Sequence, residues 1–243
     1  MSKLNILQVK DKSNSNIIKK DIIPSLPSRC IISARSGLGK SNLLINIILR
    51  DNFYNKDIDG NDIYIISGSL NGDDKLKKLI RNKDIPNSNL FDDYEPEELN
   101  ILYDYLVEDY NEKTENKEKV SPKLIILDDI GYKNLMKGNA KNSPIDKIFC
   151  NGRKFNISVM LLVQRITQVN TTCRSNSNSV FFFEPNKKEI DILEADFNYL
   201  GSRKEFFKMV NDNIQDKHDF IFINLDKPGK NKYFNSKFEP ISV

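Results

Sequence analysis

At 243 residues, 39% of them hydrophobic and 29% charged, the chain is long enough for one full α/β domain and too balanced in composition to be disordered or collagenous. Its 37 basic and 34 acidic residues leave a net charge of only +3, which excludes a coat-like nucleic-acid binder and confines any DNA contact to a local patch. No apolar run approaches the ~18 residues of a membrane span, residues 1–22 are too polar for a signal peptide, and Cys30, Cys150, Cys173 and the lone His218 match neither a disulfide framework, a zinc site nor a Ser-His-Asp triad. A non-secreted protein with no membrane partner is expected, with His218 structural or on the surface.

In chain order, residues 1–27, with Pro24 and Pro27 near their end, read as an arm or added strand ahead of a single domain over 28–243. Short β-branched runs predict strands at Cys30 to Ser33, Ile63 to Ser67, Leu124 to Asp128, Ile157 to Val163, Val180 to Phe183 and Phe220 to Asn224, with an edge strand near Tyr233 to Phe238. Helical patterns lie between them at Lys40 to Arg50, Asp73 to Arg81, Pro96 to Asn111, Pro144 to Arg153, Lys187 to Phe197 and Arg203 to Asn213; Glu112 to Ser121 reads as a charged loop. Alternating strands and helices predict an α/β fold with a mostly parallel, doubly wound sheet flanked by helices.

The first strand runs into Ala34-Arg35-Ser36-Gly37-Leu38-Gly39-Lys40-Ser41 and then the helix that starts at Asn42, the setting of a phosphate-binding P-loop. Two glycines let the backbone curl so that successive N–H groups face phosphate oxygens, and the helix N-terminus adds partial positive charge. Residues 34–42 are thus the expected nucleotide-binding segment, with Lys40 on the β- and γ-phosphates and Ser41 on Mg²⁺. Ala34 stands where such loops usually begin with Gly, a change that a negative φ tolerates.

Lys123-Leu124-Ile125-Ile126-Leu127-Asp128-Asp129 is a buried strand ending in two acids, the form of a Walker B element. Asp128 is expected to bind Mg²⁺ through water and Asp129 to orient the attacking water. The next strand ends at Gln164, whose amide can bond both the γ-phosphate and that water. ATP and Mg²⁺ are the expected cofactors.

Taken in order, Ile31 to Ser41, Ile63 to Ser67, Leu127-Asp128-Asp129 and Asn151-Gly152-Arg153-Lys154-Phe155-Asn156-Ile157-Ser158 through Gln164 resemble the genome-packaging ATPases of the FtsK/HerA superfamily, in the branch of large eukaryotic DNA viruses and virophages. The resemblance implies a RecA-like P-loop NTPase fold and an ATPase that pumps double-stranded DNA into a preformed capsid. It implies a homo-oligomeric ring, pentamer or hexamer, at a capsid or portal vertex. The implied location is the viral assembly site in the host cytoplasm or the virion itself. Many relatives have Glu where Asp129 stands, which is one methylene shorter. A ring motor also needs a cation from the neighbouring subunit. The family's arginine occurs in a similar place to Arg153, with Arg174 as the alternative finger. Lys133, Lys137 and Lys141, in an acid-free loop after Asp129, are candidates for reading DNA phosphates in the ring's lumen.

Two other functions stay open on the residues alone: a monomeric P-loop kinase or NTPase acting on a small molecule, and a slow nucleotide-dependent assembly switch.

Overall fold

The computed structural model describes residues 17–130 and 143–242. Among them run strands β1 (Arg29–Ser33), β2 (Ile63–Ser67), β3 (Leu90–Phe91), β4 (Lys123–Asp128), β5 (Ile157–Val163), β6 (Ser179–Phe183), β7 (Phe220–Asn224) and β8 (Tyr233–Phe234), which form one sheet in the order β3-β2-β4-β5-β1-β6-β7-β8. The first six are parallel, while β7 and β8 close one edge in antiparallel fashion.

The side chains of each central strand alternate between two cores, as a pleated strand requires. Ile31, Ile125, Leu127, Val159, Leu161 and Phe182 enter one core. Ile32, Leu124, Ile126, Met160, Leu162 and Phe181 enter the other. With both faces covered, these strands read as continuous apolar runs. Each fully buried Ile or Leu in them contributes about 1.5–3 kcal/mol of burial free energy.

Helices α1 (Lys40–Leu49) and α2 (Asp74–Lys83) cover the second core through Leu43, Leu44, Ile47, Leu76 and Leu79. Helices α3 (Pro96–Glu115), α4 (Pro144–Asn151), α5 (Thr171–Asn176), α6 (Lys187–Phe197) and α7 (Arg203–Asn213) lie on the first. The sheet is therefore doubly wound, as expected. Residues 17–27 do not join it: Ile18 and Leu26 bridge each other, and Ile23 and Leu26 are buried in the α1 core, where the Tyr54 hydroxyl donates to the Pro24 carbonyl at 2.6 Å.

Local differences from the expected elements have local causes. Helix α3 continues to Glu115 because its last two turns gain a Lys113–Asp109 ion pair at 2.7 Å and a bond from the Thr114 hydroxyl to the Tyr110 carbonyl. Helix α4 stops at Asn151, and Gly152–Phe155 tightens into a 3₁₀ turn that ends at Asn156 in the left-handed region, φ 57°. Strand β8 is only two residues long, since the chain turns back at Phe238, φ 62°. Strand β3 and helix α5, neither of them expected, are two and six residues long, too short for a periodic pattern.

Candidate active site

The parallel strands β4, β5 and β1 lie side by side and end at the same edge of the sheet. That edge carries the P-loop after β1, Gln164 after β5 and Asp128-Asp129 at the end of β4. Because β5 separates β1 from β4, Gln164 lies between Lys40 and Asp128, which the chain separates by 88 residues (128 minus 40). Ligands in open α/β sheets bind in this position, beyond the carboxyl ends of the strands.

The P-loop has the backbone that its glycines allow. Gly37 has φ 80° and Gly39 φ 113°, both in territory that side-chain-bearing residues rarely adopt. Ala34 is not among the residues with positive φ, and its N–H donates to the Val163 carbonyl at 3.0 Å, so the methyl group is accommodated in the core. Arg35, Ser36 and Gly37 are exposed at the tip, where Arg35 pairs with Glu184 at 2.7 Å. Helix α1 begins at Gly39 with no side-chain cap, which leaves its first N–H groups free for an anion.

Lys40 reaches across to β4, its Nζ 3.1 Å from Asp128 Oδ1. Asp128 is 2% exposed. Burial pushes its carboxyl above the ordinary carboxylate range; Lys40 opposes that shift, and Asp129 and Asp73 add to it. Oδ1 has no directed hydrogen bond, so a buried carboxylate oxygen is held by ion-pair distance alone. Asp129 is half-buried with φ 55°, and its Oδ1 accepts from Gln164 Nε2 at 3.1 Å. The Gln164 and Arg165 N–H groups both donate to Gln168 Oε1, at 3.1 and 2.9 Å, which fixes the turn after β5 and aims Gln164.

Two further residues belong to this edge. Asp73, at the N-cap of α2, accepts from Lys75 N–H at 2.7 Å through one oxygen and from the Ser41 hydroxyl at 3.3 Å through the other. In sequence it has the mark of a helix cap and nothing more, because its approach to Ser41 depends on how the loop after β2 folds back. His218 lies on the surface as expected, yet its Nδ1 is 3.0 Å from the Leu38 carbonyl in the P-loop. That contact spans 180 residues and has no local signature.

The Ser41 hydroxyl and the Asp128 carboxylate are the oxygen donors beside the P-loop, and the buried Asp128 Oδ1, which makes no hydrogen bond among the described residues, fits a hard divalent cation such as Mg²⁺. Among the described residues no three carboxylate, His or Cys side chains converge into a cage, so such an ion would complete its shell with phosphate and water.

Arg153 is exposed in the turn before β5, and its guanidinium has no hydrogen bond or ion pair among the described residues. The seven residues of β5, at ~3.3 Å each, place it roughly 23 Å from Gln164, at the opposite end of the sheet from its own P-loop. Its guanidinium is thus free for a neighbouring chain and out of reach of its own site. Arg174, the alternative, is mostly buried and bonded to Asp196 and to the Val169 carbonyl, so it has no free face to offer. Lys133, Lys137 and Lys141 lie outside the described residues. A hollow of about 710 Å³ opens at the far end of the sheet beside Asp57, Asp59 and Asp62 and involves none of the site residues.

The family model described as "Poxvirus A32 protein" matches residues 93–226, more than half of the chain, and takes in Asp128, Asp129, Arg153 and Gln164 but not the P-loop. Among solved structures, the genome packaging NTPase B204 from Sulfolobus turreted icosahedral virus 2 in complex with AMP is similar with a TM-score of 0.59 at 13% identity, over 88% of this chain and 98% of that one. Its complex with ATP-gammaS gives a TM-score of 0.57 at 12% identity, over 88% and 98%. B204, the DNA-packaging ATPase from Sulfolobus Turreted Icosahedral Virus, gives 0.57 at 14% identity, over 89% and 99%. At these identities the likeness is one of fold. No curated protein matches the chain in sequence.

Proposed function

Because the chain belongs to the poxvirus A32 protein family, we propose that it is a viral genome-packaging ATPase, which hydrolyses ATP to ADP and phosphate and uses the free energy to move double-stranded DNA into a capsid. The observation that carries this reading is the convergence of Lys40, Gln164, Asp128 and Asp129 at three adjacent strand ends, with Lys40 Nζ 3.1 Å from Asp128 and Gln164 3.1 Å from Asp129. The genome-packaging role of the structurally similar B204 proteins agrees with it.

In this reading the uncapped N–H groups at the start of α1 and the Lys40 ammonium hold the phosphate chain. Lys40 then leaves Asp128 for the β- and γ-phosphates, and the Asp128 carboxylate and Ser41 hydroxyl are released to hold Mg²⁺. That ion, when bound, neutralises charge on the phosphate oxygens. Asp129 accepts a hydrogen bond from the attacking water, and Gln164, bonded to Asp129, connects that water to the γ-phosphate. Transition-state charge on the γ-phosphoryl group calls for a cation in addition to Lys40. The exposed Arg153 of a neighbouring copy, with no ion pair among the described residues, is suited to supply it, which calls for a homo-oligomeric ring of five or six subunits. Lysines at 133, 137 and 141 would face the DNA phosphates, and work at a portal vertex places the enzyme at the viral assembly site.

The test is phosphate release with and without Mg²⁺ in wild type and Gln164→Leu. Mg²⁺-dependent hydrolysis that falls at least tenfold in the variant, with ATP affinity retained, is expected; hydrolysis indifferent to Gln164 would refute the assignment.

A further inference from the structure

On the other side of the P-loop from β5 and β4, a cleft of about 250 Å³ opens beside the first turn of α1, lined by Phe183, Phe220 and Phe238 and by Asn42, Asn46 and His218. Phe183 ends β6 and Phe220 begins the antiparallel β7, so the two pair at the same sheet edge as the P-loop. The cleft is smaller than the ~300–1,000 Å³ that whole ligands occupy, and suits one end of an elongated molecule held elsewhere by its other end.

The sheet order determines which end. A triphosphate on the P-loop must direct its γ end toward Gln164, Asp128 and Asp129 on β5 and β4. The nucleoside end then points past Asn42 toward β6 and β7, into a cleft whose aromatic walls offer stacking to a planar base. His218 stands at its mouth: a Cβ placed on Gly39 would lie 3.6 Å from both His218 Nδ1 and the Phe183 ring.

The tautomer of that imidazole follows from its partner. A backbone carbonyl only accepts, so the 3.0 Å contact with the Leu38 carbonyl puts the proton on Nδ1 and leaves Nε2 of the neutral ring as an acceptor. Adenine presents a 6-amino donor where guanine presents the O6 acceptor. We propose that His218 is the residue that selects adenine over guanine, its Nε2 accepting a hydrogen bond from the 6-amino group while Nδ1–H ties the ring to the P-loop. The proposal rests on the ATPase reading above and assigns the base specificity of that same site.

Its test is calorimetric binding of ATP, GTP, purine riboside triphosphate, which lacks the 6-amino group, and inorganic tripolyphosphate to wild type, Lys40→Ala and His218→Leu. One base-pairing hydrogen bond corresponds to roughly a tenfold preference. Wild type should therefore bind ATP about tenfold tighter than both GTP and purine riboside triphosphate, and His218→Leu should bring the three nucleotides level. A purely structural His218 would weaken all four ligands by one factor and keep the ATP:GTP ratio, which would overturn the proposal. So would a wild type that binds purine riboside triphosphate as tightly as ATP, a comparison that needs no variant. Lys40-dependent binding of ATP and tripolyphosphate with no base preference would sink the His218 assignment alone. Absence of ATP and tripolyphosphate binding in wild type would overturn the ATPase reading along with it.

Discussion

Lys40→Ala is expected to cost the nucleotide-free protein stability as well as ATP binding, because one buried ion pair underlies both. The Asp128 side chain is 3% exposed, and its one cationic partner among the described residues is Lys40, at 3.1 Å. Truncating the lysine leaves a buried carboxylate facing Asp129 and Asp73, a change worth about 3–5 kcal/mol when one member of a buried pair is removed. With a urea m-value of about 3 kcal/mol/M, the upper end of the usual range as suits a chain of this length, the unfolding midpoint should fall by roughly 1–2 M at pH 8. The sign of the pH dependence is determined by Asp128. Burial raises its folded pKa above the ordinary 3.8, and losing Lys40 raises it further, so the folded state holds the proton more tightly than the unfolded chain does. The stability this supplies is complete below about 3.8 and is lost as pH climbs through the folded value, so the deficit of the variant widens from acid toward pH 8. The reverse truncation is unequal: Asp128→Asn leaves Lys40 with a side chain 14% exposed and a flexible stem that reaches water, and should cost less than ~1 kcal/mol. Urea titrations at pH 5 and pH 8 of both variants and of their combination check this, the double variant regaining most of the loss. A Lys40→Ala midpoint equal to wild type at pH 8, or a deficit that grows on acidification, would mean that Lys40 does not stabilise the buried Asp128 carboxylate.

Gly39→Ala meets its nearest atoms at an ordinary 3.6 Å, so its cost is the backbone at φ 113°, about 1–3 kcal/mol by urea unfolding, and a neutral result would deny that loop conformation. Asp73→Ala removes the α2 cap, costing about 1 kcal/mol, and frees the Ser41 hydroxyl; Mg²⁺ titrations of ATP binding should shift severalfold, whereas an unchanged Mg²⁺ dependence would confine Asp73 to capping. Arg153→Ala should bind ATP normally and turn over at least ~10³-fold more slowly. Mixing it with Lys40→Ala protein should recover activity at interfaces that join an intact P-loop to an intact arginine, and lack of recovery would exclude a finger supplied between subunits.

The sheet and its long helices were legible because each central strand is an uninterrupted apolar run and each long helix has a periodic face, both local properties of the chain. The motifs at Ala34 to Ser41, Leu127 to Asp129 and Gln164 were legible for a similar reason: each follows a strand, and parallel strands deliver their ends to one edge. What the sequence hid is produced by tertiary approach. Asp73 reads as a helix cap and His218 as a surface residue until loops 32 and 180 residues away bring Ser41 and Leu38 beside them. Arg174 reads as a free cation in a polar segment, but its ion pair with Asp196 on α6 forms only when α5 packs there. Strand β3 escaped notice because two residues, Leu90 and Phe91, carry no period; they are in strand only because β2 offers an edge to pair with.

If ATP hydrolysis at this site drives DNA through the protein, the protein must displace the third strand from a triplex-bearing duplex. ATP-dependent displacement that requires Asp129 and grows cooperatively with protein concentration is the predicted result. Brisk hydrolysis with no displacement on duplexes of any length, indifferent to DNA and strictly proportional to protein concentration, would contradict it.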